Sequence, residues 1–380
     1  MAAPFIIGAS STRFGELWEY GLRDLIREAS IKAVKSADLE LKDVDSLFVA
    51  NCFSGIISDQ NSISALCSDE LGIKNSVHIG GDNGSFAVLQ AANSIMAGKS
   101  KIALVIGVEK ITDVPTKDIA KISSALMSHE ESLSGLTLAG AYAMMTLRYS
   151  KQYGITEEQI NKAAIKAHSN AVENEIAQFR NLITNKDILS SPFAAEPIRM
   201  LNSSSFCDGC SVVVMCNDEV AENCKNKIKL IGSGVSSDFL SLHEREDITQ
   251  FNAVKEASKT AFAKAGLSQR DISFAEVNDI FSISEIMAIE ALGFAEKGEG
   301  AKFIEKGNED LDGEIPINPS GGLKGCGHPF AATGIRQVME CFLQINNMAG
   351  RRQVKNPRYA LAENHSATCA NAVVSIFSRE

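Results

Sequence analysis

Apolar and polar positions along the chain alternate between two rhythms. Short apolar runs, such as Phe5-Ile-Ile-Gly8, Lys101–Val108 and Ser211–Cys216, predict buried strands. Between them lie segments with apolar residues every three or four positions, which predict amphipathic helices, as in residues 84–98 and Asn161–Glu173. The same rhythm occurs twice. Residues 28–51 read EASIKAVKSADLELKDVDSLFVAN, and residues 256–279 read EASKTAFAKAGLSQRDISFAEVND. The offset is 228 positions with no gap. Glu28, Ala29, Ser30, Ala33, Ala37, Leu39 and Asp43 face identical residues, from Glu256 to Asp271. Each copy runs from a helix through a break into a strand, and each follows an apolar run ending in glycine, Gly8 or Gly232. The match persists from helix to strand without slipping, so a duplicated α/β unit is expected. Two such halves packed about a pseudo-two-fold axis bring equivalent loops together.

The halves are expected at residues 1–226 and 227–380, and residues 110–200 interrupt the first. That segment is polar, helical in rhythm and poor in strand signal, and reads as an inserted loop domain. Residues 295–316 are acidic and glycine-rich, and are expected to form a surface excursion.

The chain has 380 residues, 45% hydrophobic and 22% charged, the composition of a soluble globular protein. Its 37 basic and 47 acidic residues give a net charge of −10, which argues against nucleic acid as a partner. No uncharged apolar stretch reaches the ~18 residues of a membrane span, so no membrane partner is expected. Nine scattered cysteines read as free thiols. The Met1-Ala-Ala-Pro-Phe5 start lacks a basic segment and an apolar run, and Ser378-Arg379-Glu380 is not a peroxisomal address. A cytoplasmic location is expected. Cys207-Asp-Gly-Cys210 has CxxC spacing, but Cys216 and Cys224 do not complete a zinc ribbon, and no metal site is expected.

Four segments carry candidate chemistry. Residues 318–334 read NPSGGLKGCGHPFAATG, with five glycines ahead of a helical run from Phe330 to Leu343. His328 stands just before Pro329, beside backbone N–H groups, where an imidazole polarises a carbonyl or stabilises an enolate. Residues 276–282, EVNDIFS, place Asn278 and Asp279 at the end of the second repeat's strand, where α/β sheets build sites. Residues 77–86, VHIGGDNGSF, open a helix with Asp82 or Asn83 as its cap. In ENHSATC, residues 363–369, His365 and Cys369 combine a base and a thiol between two strands. His168 reads as part of a solvated helix face.

The NPSGGLKGCGHPFAATG segment resembles the Gly-His-Pro motif of the thiolase superfamily, at Gly327, His328 and Pro329. The likeness extends over nearly the whole chain and is nearest the sterol-carrier-protein-type branch, whose loop domain ITEEQINKAAIKAHSNAVENEIAQFR resembles. It implies an α/β thiolase fold, a duplicated five-layered αβαβα architecture. It also implies acyl-coenzyme A thioesters as substrates, no tightly bound cofactor, and carbon–carbon bond formation or cleavage of the kind used in lipid metabolism. His328 and Asn278 take the enolate-stabilising roles, and Gly322, Gly327, Gly84 and Ser85 lie where the family holds the coenzyme A thioester. A homodimer is implied, and some relatives work beside a small zinc-ribbon companion subunit.

Two positions depart from the family. Aligning Gly84-Ser85 with the family's Gly-Ser puts Gly81 where the acyl-carrying cysteine belongs; Asp82 and Asn83 are the alternatives, and none is a thiol. His365 falls near the family's second cysteine, and Cys369 does not fit Cys-x-Gly. Cys326 and Cys369 remain as substitute thiols. Three functions follow: an acyltransferase of thiolase type with an altered nucleophile; a retro-aldol lyase on a β-hydroxyacyl-CoA, with His365 or Asp279 as base; or a non-catalytic acyl-CoA-binding subunit.

Overall fold

The computed structural model describes residues 3–74 and 76–379. Met1, Ala2 and Glu380, which belong to the terminal readings above, lie outside them. The strands in chain order are β1 (Phe5–Ser11), β2 (Ser46–Ala50), β3 (Ser76–Gly81), β4 (Ile102–Glu109), β5 (Phe193–Ala195), β6 (Ile198–Arg199), β7 (Gly209–Cys216), β8 (Ile228–Ser237), β9 (Phe274–Glu276), β10 (Tyr359–Ser366) and β11 (Asn371–Ser378). Nine form one continuous hydrogen-bonded ladder, β3-β2-β4-β7-β1-β8-β11-β10-β9. The ladder is two sheets joined by the short pairing of Phe5 with Lys229 and Ile6 with Ile228. About that seam the order mirrors itself: β1 answers β8, β7 answers β11, β4 answers β10 and β2 answers β9.

Five layers result. Helix Leu22–Ser36 packs outside the first sheet and helix Asn252–Ala265 outside the second, while helices Gly84–Met96 and Ala331–Ile345 lie between the sheets. Apolar residues fill each gap. Ile7, Ala33 and Val212 pack in one outer core, Ala261, Leu361 and Val374 in the other, and Phe48, Ile335 and Phe377 between the sheets. Helix Ala331–Ile345, buried along almost its whole length although it carries Arg336, Gln337, Glu340 and Gln344, is the one that both sheets cover.

The repeat is visible atom by atom. Gly8 lies under Ala33 and Ala37, and Gly232 under Ala261 and Ala265; the 228-residue offset superposes the two alanine pairs. A Cβ on either glycine would strike the helix backbone, so strand and helix approach closely only because both positions are glycine. After the helices, Asp43 accepts the backbone N–H of Glu40 and Asp271 that of Ser268, each at 2.8 Å.

The halves differ most between two equivalent strand pairs. β10 passes to β11 through a tight turn at residues 367–370, whereas β4 and β7 are separated by a largely helical segment. This segment contains helices Leu138–Tyr153 and Glu157–Ala171 and the small β5–β6 hairpin. Lys166 from it enters the second half, where its Nζ donates to Glu285 at 2.8 Å and Glu309 at 3.2 Å.

Two expectations are corrected. Residues 295–316 are not a free surface excursion: Ala301, Phe303, Ile304 and Ile315 join the core, and Glu309 is buried against Lys166. His168 is not on a solvated face. It is buried, its Nδ1 lies 2.9 Å from the Asn181 carbonyl, and its ring stacks on Phe179. Burial, then the nearby Lys324 charge, lowers its pKa to about 4.

Candidate active site

The four segments singled out in the sequence converge on one cavity at the ends of β2, β3, β9 and β10. Cys52, Asp82, Asn83, Asn278, His328 and His365 line it, closed on other sides by Leu138, Ile280, Phe330 and Ala367. Each half contributes the loop that follows its strands, as the duplication requires.

His328 is fixed from three directions. Its backbone N–H donates to the Ser205 carbonyl at 2.9 Å, and its Nδ1 lies 2.8 Å from the Thr333 hydroxyl. Its ring packs on Phe330 at 4.4 Å between centroids. Phe330 occupies φ 22°, ψ −91°, a strained conformation held between Phe53 and Phe206. Burial, then His365 and the Arg336 charge, lowers the His328 pKa to about 3. The imidazole is therefore neutral at physiological pH. The Thr333 hydroxyl can donate into Nδ1, the arrangement that puts the ring proton on Nε2 for the cavity.

Asn278 is held by its own turn. Its Oδ1 accepts the Ile280 N–H at 3.1 Å, and its Nδ2 donates to the His365 carbonyl at 2.9 Å. One amide hydrogen remains beyond that bond. An imidazole N–H and an amide N–H on one cavity wall are a donor pair for an oxyanion.

His365 has both ring nitrogens engaged. Nδ1 lies 2.8 Å from Glu363 Oε1, and Nε2 lies 3.2 Å from the Tyr142 hydroxyl. Tyr142 is buried in the inserted segment and donates its hydroxyl proton to the Ala367 carbonyl at 3.0 Å; burial pushes its hydroxyl pKa up. Glu363 Oε2 accepts the Asn278 backbone N–H at 2.9 Å, so one carboxylate ties the two site residues together.

Next to Asp82 of the cavity wall, Gly81 has φ 87°, and a Cβ built there would meet nothing within 4 Å. Asn83 caps the helix that follows, its Oδ1 accepting the Ser85 N–H at 2.9 Å. Glu109, buried at the end of β4, accepts the backbone N–H groups of Cys52 and Phe53, and burial raises its pKa to about 8. The Cys52 thiol is pushed well up by burial, then by Glu109 and Asp82.

Residues 4–219 match the model of the thiolase N-terminal domain, and residues 234–379 match that of the thiolase C-terminal domain-like family. The chain belongs to the thiolase superfamily. Among curated relatives, the acetyl-CoA acetyltransferase of Methanothermobacter thermautotrophicus is 39% identical over 98% of this chain and 99% of its own. That of Methanocaldococcus jannaschii is also 39% identical, over 96% of this chain and 94% of its own. The benzoylsuccinyl-CoA thiolase subunit BbsB of Thauera aromatica is 29% identical over 96% and 95%. Among solved structures, the Ltp2-ChsH2(DUF35) aldolase superposes with a TM-score of 0.84 at 22% identity, over 100% of this chain and 98% of that one. The acetyl-CoA acetyltransferase of Syntrophomonas wolfei gives 0.74 at 18%, over the whole of both chains. At those identities the two structures show the fold alone.

In this thiolase, His328, Asn278, His365 and the Gly81 loop come together. The two substitute thiols do not join them. Cys326 packs with Phe14, Ala171 and Cys207, its Sγ donates to the Ser320 carbonyl at 3.1 Å, and burial raises its pKa to about 12. Cys369 packs in the outer core of the second half, and burial, then Glu363, drives its pKa up. Nor does Asp279 face the cavity: its carboxylate accepts the N–H groups of Leu323 at 2.6 Å and Lys324 at 3.2 Å.

Gly322, Gly327, Gly84 and Ser85 lie behind the cavity wall. A Cβ at Gly322 would strike Asp279, at Gly327 Gln178 and Cys207, and at Gly84 the Ala331 backbone, while Ser85 packs against Gly334. These glycines bring the loops close enough to present His328. Sequence reasoning missed Glu363, Tyr142 and Cys52. Glu363 was detectable, since it shares a strand face with His365 two positions on. Tyr142 and Cys52 reach the site from distant segments and leave no local signal.

Past Leu138 and Ile280 the site continues into a cavity of about 690 Å³. Its wall is largely apolar, including Trp18, Pro115, Ile119, Phe193, Phe206 and Phe281. No helix among the described residues is long and apolar enough to cross a membrane.

Proposed function

We infer that this thiolase makes or breaks a carbon–carbon bond next to an acyl-CoA carbonyl through a thioester enolate, without an acyl group carried at position 81. The observation that carries this reading is the neutral His328, which keeps an N–H for the cavity beside the Asn278 amide, together with a Gly81 that offers no side chain. Those donors stabilise a negative oxygen where it develops, which lowers the barrier to the enolate. Covalent thiolysis needs a nucleophile at the reacting carbon. The thiols at Cys326 and Cys369 are buried elsewhere, and burial, then Glu109 and Asp82, pushes the Cys52 thiol well up.

The relatives named acetyl-CoA acetyltransferase support a coenzyme A thioester as the substrate. A homodimer belongs to the same reading. β3 is an edge strand that pairs only with β2 among the described residues, and its Ile79 is 70% exposed. A small companion subunit also belongs to it, supported by the partner named in the Ltp2-ChsH2(DUF35) structure.

The test is exchange of the acetyl-CoA α-hydrogens in heavy water, followed by mass spectrometry. The wild type exchanges them, and His328→Asn slows exchange by roughly 100-fold or more. Equal exchange in both proteins would overturn the role of His328.

A further inference from the structure

The enolate site above leaves open which group moves the proton on the far side of the breaking bond. We propose that Asp82 is that group: the catalytic base that takes the hydroxyl proton of a β-hydroxyacyl-CoA, so that the enzyme cleaves such thioesters in the retro-aldol direction. The proposal rests on the enolate reading and adds the substrate class and the base.

Position comes first. Asp82 lines the same cavity as His328 and Asn278, and it follows Gly81, whose missing side chain leaves open space. A substrate whose thioester oxygen sits at His328 and Asn278 extends its β-carbon into the space that a nucleophilic side chain at 81 would occupy.

Elimination comes second. The other acid and base groups around the cavity are engaged. His365 is bonded at both nitrogens, to Glu363 and Tyr142. Glu363 holds His365 and the Asn278 backbone, Glu109 holds the Cys52 and Phe53 backbone, and Asp279 caps the Leu323 turn. Among the described residues, Asp82 is the carboxylate on the cavity wall that no hydrogen bond ties down, and it is solvent-exposed. A base must be free to accept a proton and to release it.

The chemistry of the neighbouring thiol comes third. Asp82 and Glu109 both raise the Cys52 pKa on top of burial. Burial together with the Asp82 carboxylate at this wall opposes thiolate formation, which a covalent acyl-enzyme requires. The same charge is what a general base supplies.

The step balances without an oxidant or a further reactant. The Asp82 carboxylate takes the β-hydroxyl proton, and the C–O bond becomes C=O. The Cα–Cβ bond breaks, and its electron pair becomes the thioester enolate held by His328 and Asn278. An aldehyde or ketone leaves. The enolate then takes a proton at Cα, returned by Asp82, and an acyl-CoA is released.

The experiment uses the full-length protein with two probes, 3-hydroxybutyryl-CoA and 3-hydroxy-3-phenylpropionyl-CoA. Acetaldehyde or benzaldehyde release is followed alongside acetyl-CoA. The wild type releases aldehyde from at least one probe. Asp82→Asn lowers kcat by roughly 100-fold or more with KM little changed, and Asp82→Glu recovers part of the loss. Full activity in Asp82→Asn, with loss in His328→Asn, overturns the role of Asp82 and leaves the enolate reading intact. No aldehyde from either probe overturns the substrate class. Thiolysis of acetoacetyl-CoA with an acyl adduct on Cys52 overturns both the base and the non-covalent route.

Discussion

His365 Nδ1 lies 2.8 Å from Glu363 Oε1, two residues back on the same strand. The carboxylate accepts a hydrogen bond from Nδ1–H and leaves Nε2 to face Tyr142. Glu363 thus sets the tautomer of a histidine it precedes, and through its other oxygen it also sets the backbone of Asn278. Glu363→Gln keeps the size but removes the charge. Enolate turnover is expected to fall by about 10- to 100-fold, with coenzyme A affinity preserved; steady-state kinetics check the split between kcat and KM. Tyr142→Phe removes a buried hydroxyl and is expected to cost about 1–3 kcal/mol in urea unfolding.

On the non-covalent reading Gly81 offers no side chain to carry an acyl group, and the direction of a Cβ there is open. Gly81→Cys places a thiol in that space. Its positive φ costs about 1–2 kcal/mol for a residue with a side chain. The variant is therefore expected to melt somewhat lower than the wild type but to gain a covalent acetyl group from acetyl-CoA. Intact-mass spectrometry separates the two proteins, and a wild type carrying the same adduct would contradict the non-covalent route.

His328 is pushed down to about 3 from an ordinary 6.5. Between those values the unfolded chain binds a proton that the folded chain refuses. Stability is then fully present above pH 6.5 and is lost as pH falls toward 3, a loss on the order of a few kcal/mol. Urea midpoints at pH 7 and pH 4 are expected to differ less in His328→Asn than in the wild type. Over pH 5–8 the protonation of His328 is constant, so no limb of the activity profile comes from it.

Glu109 has the opposite sign. Burial raises it to about 8 from an ordinary 4.5, so the folded protein holds a proton that the unfolded chain releases. Its contribution is fully present below pH 4.5 and is lost as pH rises through 8. Glu109→Gln is expected to flatten the decline in stability between pH 6 and pH 9, measured by the same denaturation experiment.

The sequence alone determined the duplication, because the 228-residue match records packing rules that each half obeys locally. Ala33 and Ala37 must be small where Gly8 passes beneath them, and Ala261 and Ala265 must be small over Gly232. Short motifs also marked His328, Asn278 and position 81 as site candidates, since glycine spacing and the Gly-His-Pro turn are short-range features. Tertiary structure alone decided which groups share the cavity. Cys52 follows β2, Tyr142 lies in the inserted helices and Glu363 on β10, and only the packing of the halves brings them to one place. The same packing took Cys326, Cys369 and Asp279 out of contention, because burial and hydrogen bonding decide whether a reactive side chain is free, and neither is encoded by spacing.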